Sequence, residues 1–396
     1  MKRRWLAFVV LAAFCGAAIT LSVLLAMHDL HRRSTPGHPE AQSRDTVPSS
    51  AAAQQRVPGS DDKQPTRLSS AGETVERREK TGRSGSTKPL PSLLFYFRAN
   101  AFERNFGQLA VASVDAIDKV QYSAELRCNR VHFAGGIGVC LSLEKTGPNF
   151  AISSATGFDQ SMKKRWTTRL MGLPSRVRVS PSGRLAAVTL FRFGESYASL
   201  KFSTQTEILD TRTGEVLADL EQFSVTRDGR EFKSPDFNFW GVTFTRNENI
   251  FYATLWSKNR TYLVKTDLER HTATLIHDGV ECPSLSPDGM RIAFKKRMDT
   301  NDVAWRLTIL DLRDGLERSL GESRSVDDQV EWLDNNHLLY GLSTGNVVLG
   351  ASADIWLLST DTTAVPQLFL KGAFSPAVFR SQGLVSSTGG PSPRTR

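Results

Sequence analysis

Three carboxylates fall within five residues in "SVDDQVEW": Asp327, Asp328 and Glu331. Converging oxygens of this kind suit Ca²⁺ or a basic partner segment, whereas a solvated loop is the plainer expectation. A second group is aromatic. "FKSPDFNFWGVTF" carries Phe237, Phe239 and Trp240, which form a platform for a partner or a glycan if exposed and a seam between sheets if packed. "GESYA", residues 194–198, approximates a nucleophile elbow around Ser196, but that motif works on a strand-to-helix turn with a histidine and an acid to follow. "GGIG", residues 135–138, has no following helix to lend its N-terminus to a phosphate, so a hairpin turn is expected. His28, His31 and His38 lie where no framework would hold a metal, and "NRT" at Asn259 is a glycosylation sequon with meaning only in a eukaryotic secretory pathway. No catalytic set and no cofactor motif emerges, so a non-enzymatic protein is expected.

The elements that must position these residues begin after residue 92. From Leu93 onward come apolar or alternating runs of five to eight residues, such as "GQLAVASV", "WRLTILDL" and "ADIWLLSTD", separated by Gly, Asp-Gly, Asn and Pro. Period-two patterning rich in Val, Ile, Thr, Phe and Tyr predicts strands, and no segment here shows a sustained period of 3.6. One phrase returns. Similar turns begin at His132 ("HFAGGIGVCL"), Ser180 ("SPSGRLAAV"), Thr245 ("TRNENIFYA"), Ser286 ("SPDGMRIAF"), Trp332 ("WLDNNHLLY") and, truncated, Ser375 ("SPAVF"), at intervals of 48, 65, 41, 46 and 43 residues. Each is followed by a second hairpin, often ending on an acid-containing turn such as "LDTRTGE" or "LDLRDG". Four strands in about 45 residues are the mark of a β-propeller blade, which cannot bury both faces alone.

The simplest closure lets Phe374 to Arg380 join the strands of 93–127 in one composite blade, giving six blades; the long interval reads as an insertion. "LSPDGMRIAF" followed by "LTILDLRDG" closely resembles the repeats of TolB-like six-bladed propellers, a WD-like repeat family, and "VSPSGRLAAV" and "EWLDNNHLLYGL" match less strictly. The resemblance spans about 93–380. It implies an all-β six-bladed propeller and says little of function, since that family includes envelope-complex proteins, scaffolds and domains attached to peptidases. The separate α/β domain that precedes the propeller in TolB itself is not recognisable here, so a role in the Tol machinery is not implied.

Ahead of the propeller stand three stretches: residues 1–4, a basic cytoplasmic end; residues 5–27, without a charge; and residues 28–92, a linker of Ser, Pro, Gly and mixed charges with no aromatic residue. The apolar run would span roughly 34 Å as a helix, enough for a bilayer core of about 30 Å. It predicts an uncleaved signal anchor, with a cleaved signal peptide as the alternative. The linker cannot offset its ordering entropy and is expected to be disordered, as is the tail 381–396. The propeller then lies outside the membrane. The net charge of +9 divides into +3 for residues 2–4, +3 for the linker and +3 for everything from 93 on, which argues against nucleic-acid binding. Partners are expected to be the membrane, through the anchor, and another envelope protein or a cell-wall component. A propeller enzyme or glycan-binding module using the axial funnel is the alternative.

Export bears on the cysteines. Cys15 falls in the apolar run, leaving Cys128, Cys140 and Cys282 beyond it. Cys128 and Cys140 are the nearer pair, but a hairpin turning at "GGIG" would set Cys140 opposite His132, so both a disulfide and free thiols remain open.

Overall fold

The computed structural model describes residues 92–147, 150–192, 203–298, 304–344 and 352–380. The expected anchor, linker and tail, the histidines 28, 31 and 38, and Ser196 lie outside the described residues. Among the described residues no helix is long and apolar enough to cross a membrane.

Strands run in chain order through successive antiparallel sheets. β1 (Leu93–Arg98), β2 (Gln108–Ser113) and β3 (Ala116–Arg127) begin the first blade. The second holds β4 (Arg130–Ala134), β5 (Ile137–Gly147), β6 (Phe150–Asp159) and β7 (Lys164–Met171). The third holds β8 (Leu173–Val179), β9 (Leu185–Phe191), β10 (Thr204–Asp210) and β11 (Val216–Asp219). A 3₁₀ turn, Leu220–Gln222, then leads to β12 (Ser224–Arg227) and β13 (Arg230–Glu231). The fourth blade is β14 (Asn238–Phe244), β15 (Ile250–Ser257), β16 (Arg260–Asp267) and β17 (Thr272–Asp278). The fifth is β18 (Glu281–Leu285), β19 (Arg291–Arg297), β20 (Trp305–Asp311) and β21 (Glu317–Ser319). The sixth is β22 (Glu331–Trp332), β23 (His337–Ser343), β24 (Ala353–Ser359) and β25 (Gln367–Leu370). β26 (Ala373–Phe379) returns to pair with β1, so the first sheet reads β26-β1-β2-β3. The chain is an all-β six-bladed propeller closed by a strand from its C-terminal side.

Burial explains the ring. Central strands are covered on both faces: β9, "LAAVTLF", is buried at five successive positions, while outer β7, "KRWTTRLM", is mostly exposed. The buried apolar residues fall into six clusters, each shared by two neighbouring blades. Phe239 and Phe251 meet Ile208 between blades three and four, and Tyr96 and Ala110 meet Ile355 between six and one. The other four clusters fill the remaining seams, so no sheet lacks a neighbour. Burying one such aromatic or aliphatic side chain contributes about 1.5–3 kcal/mol.

The recurring turn links each innermost strand except β26 to its neighbour. In "SPDG", the Arg291 N–H donates to Ser286 Oγ (3.0 Å), the Met290 N–H donates to Asp288 Oδ1 (2.9 Å), and Gly289 has φ 76°. The same turns bind the blades together. The Asp288 N–H donates to Asn335 Oδ1 of the next turn (3.1 Å), and a Cβ on Gly135 would sit 2.1 Å from the Ser182 carbonyl carbon.

Two expectations change, and the expected insertion is found and given a place. Ser375 does not start a turn; it lies inside β26 with φ 58°, bonded through Oγ to the Val131 carbonyl (2.8 Å), because the closing blade needs an inner strand there. The long interval is an insertion, and it extends blade four: β12 pairs in parallel with β17, making a six-stranded sheet. The hairpin after β4 turns on Gly135 and Gly136 alone, both at positive φ, so Cys140 faces Val131 instead of His132. That one-residue shift brings Cys140 within a Cα–Cα distance of 5.3 Å of Cys128, and the two form a disulfide. Cys282 is a buried free thiol.

Candidate binding site

Six innermost strands surround the axis: β26, β4, β8, β14, β18 and β22. Side chains two apart on a strand share a face. Arg130 and His132 on β4, Arg176 and Arg178 on β8, and Gln329 and Glu331 at β22 are three such pairs, all close to the axis.

Their hydrogen bonds tie the six strands together. Arg178 pairs with Glu331 and donates through Nη2 to the Val330 carbonyl (3.0 Å). Glu331 also accepts the Val378 N–H of β26 (3.1 Å), and His132 Nε2 lies 3.4 Å from it. Gln329 Nε2 donates to the carbonyls of Val242 on β14 (2.9 Å) and Pro283 on β18 (2.7 Å). Thus Gln329, Val330 and Glu331 bond to each of the other five inner strands. His132 Nδ1 accepts the Val179 N–H (3.0 Å), while its Nε2 lies 2.9 Å from Arg178 Nη1 and 3.4 Å from Glu331. Burial and the neighbouring Arg178 lower the imidazole pKa, against the opposing effect of Glu331. Burial works against charge on Glu331, yet His132 and Arg178 hold its carboxyl down to about 2. Asp328 differs: it accepts the Gly341 N–H (2.8 Å), and burial raises its carboxyl despite Arg176 and Arg130.

Where the innermost strands begin, a cavity of about 820 Å³ opens among blades two to five and the segment entering blade six. Phe191, Trp240, Trp256 and Trp305 supply its apolar wall. Its cations are Arg130, Arg176, Arg260, Lys295 and Arg297, and its acids Asp278, Glu281 and Asp327. Lys295, 4% exposed, pairs with Asp327 and lies 4.3 Å from the centre of the Trp305 ring. Arg297 pairs with Glu281 (3.1 Å) and also lies over Trp305, whose Nε1 donates to Glu281 (3.1 Å). Arg176 pairs with Asp327 (3.1 Å) and donates to the Ser175 carbonyl (2.9 Å), while its Nε, buried, has no partner. Arg130 donates to the backbone carbonyls of Ser175 (2.6 Å) and Asn129 (2.8 Å) and to no carboxylate among the described residues. Burial, then Arg176, lower its guanidinium to about 10, so it stays charged at neutral pH. Asp327 is held down to about 2 by Lys295 and Arg176 against the opposing effect of burial.

The sequence candidates separate accordingly. Asp327 faces the cavity, Asp328 is buried beneath it and Glu331 lies on the axis. Each meets cations from other blades, which disfavours a divalent ion, and no group of three ligands is set for a metal among the described residues. Phe239, on β14, is fully buried in the seam between blades three and four, where every position of that strand is covered, and Phe237, just before β14, is half-buried against the same cluster. Trp240, 7% exposed, borders the cavity. Asn259 sits at its rim on the turn between β15 and β16. Sequence reasoning missed Arg130, His132, Arg176 and Arg178. The available signal was charge at alternate positions of otherwise apolar strands, "RVH" and "RVRV". Among the described cavity residues, no hydroxyl or thiol has a histidine or carboxylate beside it as a base; the arrangement can stack a ring and pair charges.

A propeller of six four-stranded repeats, one of them enlarged, is therefore the class of protein that the sheet order and the axial site define. No family model matches the chain, and no curated protein matches it. Solved structures similar to it include TolB from Acinetobacter baumannii, at 15% identity and a TM-score of 0.49, covering 73% of this chain and 66% of that one. A TolB candidate from Agrobacterium tumefaciens aligns at 11% identity and a TM-score of 0.41, covering 72% of this chain and 92% of that one. A puromycin-hydrolysing peptidase of Mycobacterium tuberculosis aligns at 12% identity and a TM-score of 0.35, covering 67% and 42%. The fold assignment rests on the observed sheet order, independently of these likenesses.

Proposed function

We propose that this protein is a non-enzymatic binding module, anchored in the membrane by residues 5–27 and held outside the cell on the linker 28–92. Its propeller receives an envelope component, a protein or a cell-wall constituent, in the cavity among blades two to five. The observation that carries this reading is a large indole-walled, cation-rich cavity where the innermost strands begin. Such a volume lies within the roughly 300–1,000 Å³ of small-ligand and chain-end sites.

The test is capture from envelope extracts by the full-length chain and by its Trp256→Ala variant. The wild type is expected to retain a component that the variant releases. Equal retention by both, or turnover of a substrate by the purified chain, would overturn the reading.

A further inference from the structure

The charges of the cavity floor are unevenly matched. Arg176 is 9% exposed, and its Nε–H is without an acceptor in a place where a buried donor left unmet is costly. It borders both the large cavity and a chamber of about 20 Å³ beneath it on the axis. Beside it Arg130 lies over the Phe374 ring (4.9 Å), and its hydrogen bonds among the described residues go to carbonyl oxygens, not to a carboxylate. Of the acids near them, Asp327 is already shared between Arg176 and Lys295, Glu281 among Arg297, Lys295 and Trp305, and Asp328, buried beneath, accepts the Gly341 N–H. The floor thus has donor capacity in excess of its acceptors, which is the condition for an oxyanion site.

The walls narrow the class. Trp256 is half-buried at the cavity, and Trp305 is fixed there by two cations and Glu281. Asn259, Thr261 and Asp278 bring amide, hydroxyl and carboxylate groups to the rim. Asp278 is 56% exposed, with Arg227 at 3.7 Å. A ligand with many carboxylates would meet Asp278, Glu281 and Asp327 at unfavourable range. One acidic group on a ring bearing hydroxyls uses both parts: the acid takes the guanidinium floor, the hydroxyls donate to the rim, and the ring's apolar face lies against indole.

Resting on the binding reading above, we infer that the cavity is a site for an acidic saccharide, with Arg176 and Arg130 holding its carboxylate and Trp256 its ring. The probes are an aldotriouronate (a trisaccharide bearing a single uronate), neutral maltotriose, pentaglutamate and sodium acetate, added to the full-length chain in detergent. Titration calorimetry and tryptophan fluorescence read the outcome.

The aldotriouronate should bind and quench indole emission, at least about tenfold more tightly than maltotriose, since a charge-assisted hydrogen bond is worth roughly that factor. Added salt should weaken it. Arg176→Met and Trp256→Ala should each cost about tenfold. Because Arg176 also pairs with Asp327, the exposed Arg260→Ser provides a variant that spares the core; a loss of about threefold is expected from one rim charge. Equal affinity for maltotriose, tighter binding of pentaglutamate, or acetate bound as well as the trisaccharide (an adventitious anion only) would each overturn the inference. If no saccharide binds while envelope capture still depends on Trp256, the saccharide class falls and the binding reading stands. If capture fails too, both fall.

Discussion

Glu331 and Glu221 are both carboxylates in strand-rich surroundings, yet burial resolves them in opposite directions. Glu331 has Arg178 and His132 beside it and is held near 2, so its ionised form belongs to the fold. Its contribution is present above the ordinary carboxylate range and is lost as pH falls from about 4.5 towards 2. Glu331→Gln leaves Arg178 buried without a counter-charge. It should cost about 3–5 kcal/mol in urea unfolding at pH 7 and flatten the acid limb of the stability profile. Glu221 accepts the N–H groups of Thr206 (3.1 Å) and Phe239 (3.3 Å), but burial, with Asp219 beside it, pushes its carboxyl up to about 9. Here the sign reverses: the folded chain holds the proton more tightly, so stability is greatest below pH 4.5 and declines as pH rises through about 9. Glu221→Gln should remove that decline, gaining about 1 kcal/mol at pH 9, or roughly 2–4 °C in Tm by calorimetry. Of these residues the sequence reveals only Asp327, Asp328 and Glu331, by their crowding. Arg178 and Arg176 lie 153 and 151 residues from the acids they meet, and no local pattern encodes that pairing.

Strands and turns were the most legible level, since alternation and the Ser-Pro-x-Gly phrase are local properties. What the phrase does was less evident. Gly183 (φ 80°) and Gly289 (φ 76°) occupy corresponding turns, but a Cβ on Gly183 would lie 2.8 Å from the Gly135 carbonyl oxygen, whereas Gly289 has open space. Gly289→Ala should therefore cost only the left-handed backbone penalty, about 1–2 kcal/mol. Gly183→Ala should cost more, about 2–4 kcal/mol, because a neighbouring blade's backbone must move. Paired thermal melts measure the difference, and equal losses would show that the turns do not dock. The parallel pairing of β12 with β17 was not legible, because "SVTR" carries nothing that selects one sheet edge over another.

For the whole molecule, the number of blades and the composite first sheet were readable from the repeat interval and from the argument that no sheet can hide two apolar faces by itself. The cavity was not, because it is assembled from blades two to five and the segment entering blade six, and from residues whose roles follow from position around the axis. The Cys128–Cys140 disulfide closes a loop of 12 residues where the chain passes from the first blade to the second. By the entropy of closing a loop that short, Cys128→Ala with Cys140→Ala should lower unfolding free energy by about 3 kcal/mol, and reductant should do the same to the wild type alone. Unchanged denaturant midpoints would place the two thiols apart in solution.

The pairing of β26 with β1 sets an order on biosynthesis. Residues 93–98 wait for residues 373–379, so a nascent chain can complete its middle sheets yet carries an unpaired edge on β1 until almost the whole domain has emerged. Any stop codon before Ala373 would leave that edge open for good. Quality-control proteases should clear such truncated products, while the full-length protein survives them.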